Sequence, residues 1–258
     1  MPFLDLEGAR FHHRFDGEAG PVLVLSNSLG THVGMWDAQA AAFAARFRVL
    51  RYDTRGHGLT AVTDGPYDIE RLGRDVIALL DALGIRRAHF CGLSLGGMTG
   101  MWLGAHAPER ISRLVLCNTS AFMPPPEAWN ARIETAKREG MKGLAETVLA
   151  RWFTEPFRRQ SPAAVEAVRQ GLLNTPPAGY AACCAAIRDM DQRASIRGIT
   201  APTLVIAGSL DPATPPADGR LLAASIPGAR YLELEAAHLS NIEQTAAFNE
   251  AVLQFLSE

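Results

Sequence analysis

Long apolar runs are missing from this 258-residue chain: nothing approaches the roughly 20 consecutive apolar residues that span a bilayer. The opening Met1-Pro2-Phe3-Leu4-Asp5 has no basic segment followed by an apolar one, so no secretion leader is expected and a cytoplasmic location is. Cysteine is sparse. Cys91 and Cys117 sit in apolar stretches and Cys183 and Cys184 are adjacent, a spacing that suits neither a disulfide framework nor a zinc site. Buried thiols are the expectation. The seven histidines form no His-Glu-x-x-His or similar ligand pattern, so neither a metal nor another cofactor is expected. An excess of one charge is also missing: 25 basic and 27 acidic residues give a net charge of -2, mixed along the chain. That balance points away from a nucleic-acid surface and leaves a small molecule as the expected partner. With 48% hydrophobic and 20% charged residues, the chain has ample material for a large core.

What is present is an alternation of short apolar strands and helices. Phe3-Leu4-Asp5-Leu6, a Glu7-Gly8 turn and residues 10–15 read as a β-hairpin, with one of His12 and His13 facing solvent. Val22-Leu23-Val24-Leu25 reads as a strand buried on both faces. A polar loop, Ser26 to His32, and a helix over 36–47 follow. A strand over 48–53 ends in the turn Thr54-Arg55-Gly56-His57-Gly58, which Asp53 and Arg55 are expected to brace. Asp68 suits an N-cap and Gly84 a stop for a helix over 69–83. Strands over 88–91 and 111–117 come next. From Asn118 to Thr200 the alternation stops. Pro124-Pro125-Pro126 introduces helical patterns over 127–140, 141–153, 162–173 and 178–188, with no strand between them. Strands resume over 202–208 and 230–234, and a last helix starts near Thr245. The expected organisation is a mostly parallel sheet flanked by helices, with residues 1–117 and 201–258 as core and 118–200 as an inserted helical cap.

The chain is organised around Gly92-Leu93-Ser94-Leu95-Gly96, between the 88–91 strand and a helix over 95–107. Taken alone, Gly-x-Ser-x-Gly also describes a glycine-rich turn with a capping serine. Between a strand and a helix it fits a nucleophile elbow, which holds a strained serine hydroxyl above a helix N-terminus. A serine needs a base to act as a nucleophile at neutral pH. An acid and then a histidine are required further along, each in a loop after a strand. Asp211 follows the 202–208 strand and His238 follows the 230–234 strand. Each has a plainer reading, as a turn aspartate before Pro212 and as a loop histidine, but the order Ser94, Asp211, His238 is the one this architecture demands. Two backbone donors should form the oxyanion hole: the N–H of Leu95, and one from the loop after the 22–25 strand, where alignment on the usual His-Gly pattern, with Asn27 and Ser28 in its place, puts Leu29; a plain strand–helix connection fits that loop as well. His57 lies after a different strand and reads as structural.

Together these motifs resemble the α/β-hydrolase superfamily over essentially the whole chain. Ser26-Asn27-Ser28-Leu29-Gly30-Thr31, Met35-Trp36-Asp37, Arg51-Tyr52-Asp53-Thr54-Arg55-Gly56-His57-Gly58 and Ala237-His238-Leu239-Ser240-Asn241 narrow the resemblance to the 3-oxoadipate enol-lactonases. In those enzymes water opens an enol-lactone to 3-oxoadipate in bacterial aromatic catabolism. The resemblance therefore implies a carboxylate-bearing lactone as substrate, for which a pocket cation or polar donors are expected. Arg132, three residues from Trp129 on one helix face, is the candidate carboxylate partner; Trp129 and Trp152 are candidate pocket walls. A solvated arginine and packing tryptophans fit the same pattern. A general carboxylesterase, a carbon–carbon bond hydrolase, a cofactor-free haloperoxidase and a non-enzymatic small-molecule sensor remain open alternatives.

Overall fold

The computed structural model describes residues 2–6 and 8–258; Met1 and Glu7, the latter half of the expected hairpin turn, lie outside the described residues. Eight strands form one sheet: β1 (Phe3–Leu6), β2 (Ala9–Asp16), β3 (Val22–Ser26), β4 (Arg48–Tyr52), β5 (Ala88–Leu93), β6 (Ile111–Cys117), β7 (Thr203–Gly208) and β8 (Arg230–Leu234). Their order is β1-β2-β4-β3-β5-β6-β7-β8. β1, β2 and β4 pair antiparallel, and every pairing from β4 through β8 is parallel. Parallel strands are covered on both faces, which is why residues 22–25 of β3, 90–93 of β5, 114–117 of β6 and 204–207 of β7 are apolar runs without alternation. Leu23, Val24, Leu25, Phe90, Leu114 and Leu116 are all fully buried. Each such side chain contributes about 1.5–3 kcal/mol, so the sheet can hold strained residues at its ends.

Helices α1 (Asp37–Ala44), α2 (Ile69–Ala82) and α3 (Leu95–His106) flank this sheet. Asp68 caps α2 as expected, accepting from the Arg71 N–H at 2.7 Å, and Gly84 ends it at φ 68°. Between β6 and β7 lie α4 (Pro126–Glu139), α5 (Ala145–Trp152), α6 (Glu155–Gln160), α7 (Pro162–Leu173) and α8 (Pro177–Asp189). Two expectations change here. The helix expected over 141–153 is a single 3-10 turn, Met141–Gly143, followed by α5, and α6 was not anticipated. The 155–160 stretch carries Pro156 and three charged residues in six, so it has no apolar stripe to read. The neck of the insertion is closed by a bridge between Phe122 and Asp191 and by the Gln192 N–H on the Ala121 carbonyl, 2.8 Å. Helix α9 (Pro216–Ser225) joins β7 to β8; the short α10 (Ser240–Glu243) and α11 (Thr245–Leu256) complete the chain. No helix among the described residues is long and apolar enough to cross a membrane.

The hairpin forms, but neither histidine on β2 faces solvent. His12 and His13 are each 4% exposed. The His12 ring bonds Asp53 at 2.7 Å, and His13 lies edge-on to Phe15. Alternation failed as a guide because Phe3 and Asp53 cover His12 on a face where Arg10 and Arg14 stay exposed. Burial pushes the His13 pKa down, and the neighbouring His12 adds to the effect. Asp53 braces the turn as expected, taking the Leu59 N–H at 3.0 Å, and it also holds the Val33 N–H at 2.7 Å. Arg55 instead leaves the turn for α2, where it pairs with both oxygens of buried Asp75 at 2.6 and 2.8 Å. All four cysteines are buried free thiols.

Candidate active site

In parallel sheets, sites form at the carboxyl ends of strands, where strand order reverses. Here the reversal falls at β3 and β5. The loop holding Leu29 follows β3, Ser94 follows β5, Asn118 follows β6, Asp211 follows β7 and His238 follows β8. These five strands are neighbours in the sheet. The topology therefore delivers residues from five distant parts of the sequence to one edge.

Ser94 has φ 56° and ψ -114°, a conformation that costs about 1–3 kcal/mol outside glycine. Its surroundings leave no alternative. Its N–H donates to the Cys117 carbonyl at 2.9 Å, and its carbonyl accepts the Thr119 hydroxyl at 2.8 Å. A Cβ on Gly92 would strike the Gly96 carbonyl, and one on Gly96 would strike the Ser26 carbonyl. The two glycines let β5, α3 and β3 meet this closely. Ser94 thus projects from the start of α3. There the Leu95 N–H belongs to the first turn, whose amides lack intrahelical partners, while the next amide, Gly96, is held by the Asn27 carbonyl at 3.0 Å. Asn27 fixes the facing loop a second way: its amide donates to the Tyr52 carbonyl at 2.8 Å and accepts the Trp36 indole at 3.0 Å.

The His238 Nδ1 lies 2.8 Å from Asp211 Oδ2. Asp211 is 3% exposed, and its carboxylate accepts more than the imidazole. The Asn118 amide (3.0 Å) and Thr214 hydroxyl (2.8 Å) reach Oδ2; the Ala213 and Thr214 amides reach Oδ1 at 2.8 and 3.1 Å. Burial pushes the Asp211 pKa up, but the His238 charge and the hydrogen bonds from His238, Asn118 and Thr214 outweigh it and hold the carboxyl below its ordinary range. The acid is thus kept ionised beside the ring.

Ser94 and His238 open into a pocket of about 440 Å³. Leu29, Trp129, Arg132 and Trp152 line it, so six of the eight expected site residues share one cavity. Asp211 sits behind the ring, and Leu95 buries its side chain in the core. The Arg132 guanidinium lies 5.0 Å from the Trp129 ring centre, whose indole donates to the Met123 carbonyl at 2.9 Å. His57 lies elsewhere, fully buried against Tyr180 and Cys183. Burial pushes its pKa down to about 4, only partly offset by the Arg55 carbonyl and Asp53.

Several residues of this site escaped the sequence reading. Arg151 lines the pocket beside Trp152; the helical pattern of 145–152 gave no sign of what its polar edge faces. Asn118 has φ 43°, a left-handed conformation that asparagine tolerates best. An asparagine directly after a strand was a usable signal. Thr214, three residues after Asp211, was another, since aspartate and threonine at that spacing close local turns.

Fold and site define the class. Residues 21–245 match the α/β hydrolase fold family, and the chain belongs to that family. Over 90% of its length it is similar to two proteins of Acinetobacter baylyi: 3-oxoadipate enol-lactonase 2 (46% identical over 232 residues, 87% of that protein) and 3-oxoadipate enol-lactonase 1 (41% over 231 residues, 86% of that protein). The crystal structure of the enol-lactonase from Burkholderia xenovorans LB400 matches all of this chain and all of its own, at a TM-score of 0.98 and 49% identity.

Proposed function

We propose that this protein hydrolyses 3-oxoadipate enol-lactone to 3-oxoadipate, with Ser94, His238 and Asp211 as the catalytic residues. The observation that carries the reading is the pairing of a strained serine and an aspartate-bound histidine with two arginines in one pocket, in a chain 46% identical to an enol-lactonase. Ser94 Oγ attacks the lactone carbonyl as His238 takes its proton, and Asp211 stabilises the imidazolium through Nδ1. The Leu29 and Leu95 N–H groups receive the oxyanion. Collapse of the tetrahedral species breaks the ring C–O bond. The leaving oxygen departs as an enolate, less basic than an alkoxide, and takes the proton from His238 to become an enol. That enol tautomerises to the ketone, which draws the reaction forward. His238 then takes a proton from water, whose oxygen attacks the acyl-serine. Cleavage returns the proton to Ser94 and frees the second carboxylate.

The substrate's own carboxylate loses hydration inside a covered pocket, which is costly without a partner. Arg132 supplies it, with Trp129 and Trp152 as walls. The contributions of α4, α5 and α8 to that lining support a cap role for residues 118–200 over a core of 1–117 and 201–258. The protein acts in the cytoplasm on this small molecule, without nucleic acid or membrane. The test compares kcat/KM on freshly generated enol-lactone with that on neutral p-nitrophenyl acetate, in parent and Arg132→Ala. A charge-assisted pair of about 1.5–3 kcal/mol predicts a fall in the ratio on the order of 10- to 100-fold. An unchanged ratio removes Arg132 as the selector, and a parent enzyme that prefers the neutral ester makes the protein a general carboxylesterase.

A further inference from the structure

His238 sits in a loop, and its ring is held at Nδ1 alone, by Asp211 at 2.8 Å and the Thr214 hydroxyl at 3.4 Å, which does not fix the loop itself. The peptides on either side of the histidine are held from an unexpected direction. The Ala237 N–H donates to Glu243 Oε2 at 3.0 Å. The same oxygen takes the Thr154 N–H at 3.4 Å, and the other takes the Thr154 hydroxyl. Beyond the histidine, the Leu239 N–H donates to the Trp152 carbonyl at 3.0 Å. Trp152 and Thr154 belong to the insertion, at the end of α5 and the start of α6. Trp152 is also a pocket wall. From the core side Asn118 holds the Ala237 carbonyl at 3.2 Å. The histidine loop is therefore fastened to the insertion on both sides of its functional residue, once directly and once through a carboxylate.

We propose that Glu243 is a positioning residue: its carboxylate clamps the start of α6 to the His238 loop, so that seating of the helical insertion and placement of the imidazole are one event. This rests on His238 being the general base. Glu243 touches no substrate in this account and acts only through Ala237 and Thr154. A carboxylate suits the task because it offers two acceptor oxygens to three donors at once. The reacting atoms must be placed to well under an ångström, and a misplacement near 1 Å costs on the order of 10²-fold in rate.

The test uses the full-length enzyme. Glu243→Ala is expected to lower kcat on the enol-lactone by roughly 10- to 100-fold, with KM moving less than about threefold because Glu243 does not line the pocket and the Leu239 N–H still holds the Trp152 wall. Glu243→Gln keeps an acceptor for Ala237 and is expected to recover most of that loss. Thr154→Val removes the hydroxyl arm, and also the cap bond to the Phe157 N–H; Thr154→Ser restores both. It carries the test if Glu243→Ala does not fold. The rate at which a neutral fluorophosphonate modifies Ser94 is the second readout. That reaction needs the base and ignores the substrate carboxylate, so it should fall in step with kcat. His238→Ala is run alongside: retained turnover there overturns the general-base reading itself. If His238→Ala is inactive but the Glu243 and Thr154 variants lose only thermal stability, or raise KM with kcat and phosphonate rate unchanged, the clamp is structural and the proposal fails.

Discussion

Of the four buried histidines, His57 allows the sharpest calculation. Its ring is fully buried and its pKa is pushed down to about 4 from an ordinary value of 6.5. Between those values the unfolded chain takes up a proton that the folded chain refuses. Unfolding is therefore favoured as pH falls, with the effect beginning below the unfolded value and complete only below the folded one. At about 1.4 kcal/mol per pKa unit, the loss is about 1 kcal/mol on going from about pH 7.5 to about pH 5.5, and about 3 kcal/mol below pH 4. His57→Gln has no such proton to bind. Urea unfolding of parent and variant at both pH values gives a double difference in which the other titrating groups cancel. The variant should lose about 1 kcal/mol less than the parent over that interval. Its kcat/KM should stay within a few-fold, since His57 lies outside the pocket. Equal acid losses in the two proteins would refute the burial argument, and a collapse of turnover in a folded variant would refute the structural role.

Ser94→Ala deletes one hydroxyl and should reduce turnover on the order of 10⁴-fold or more with an unchanged melting curve; turnover near the parent level would place the nucleophile elsewhere. Asp211→Asn replaces the acceptor at the His238 Nδ1 with an amide that can present the wrong tautomer, and a loss of thousands-fold in kcat is expected, roughly as in other triads. Asn118→Ala removes a donor from buried Asp211 and leaves a non-glycine, non-asparagine residue at φ 43°. Denaturant unfolding should show a loss of about 2 kcal/mol, together with reduced kcat. A variant matching the parent in both would mean that Thr214 and the loop amides suffice to hold the acid.

The order of the strands, the strand–turn–helix at Ser94, the positions of Asp211 and His238 after their strands, and the helical character of the stretch between β6 and β7, though not its division into helices, were legible in the sequence. The reason is local. A strand buried on both faces must be apolar throughout, a strand running into a helix through Gly-x-Ser-x-Gly has few conformations open to it, and proline and glycine mark breaks wherever they stand. The Asp68 cap and the Gly84 stop belong to the same class, since their partners lie within a few residues. What tertiary structure decided was every partnership across the sheet or between insertion and core. His12 is buried by Phe3 and Asp53, neighbours from another strand and from a loop that alternation along β2 does not reveal. Arg55 leaves its own turn for Asp75, twenty residues on. Asn118 meets Asp211 across 93 positions of sequence, and Thr154 meets Glu243 across 89. Arg151 shares a pocket with Ser94 only because α5 comes to lie over the strand ends. Polar side chains of this kind have no periodicity of their own, and their partners are chosen by the packing of the elements that bring them together.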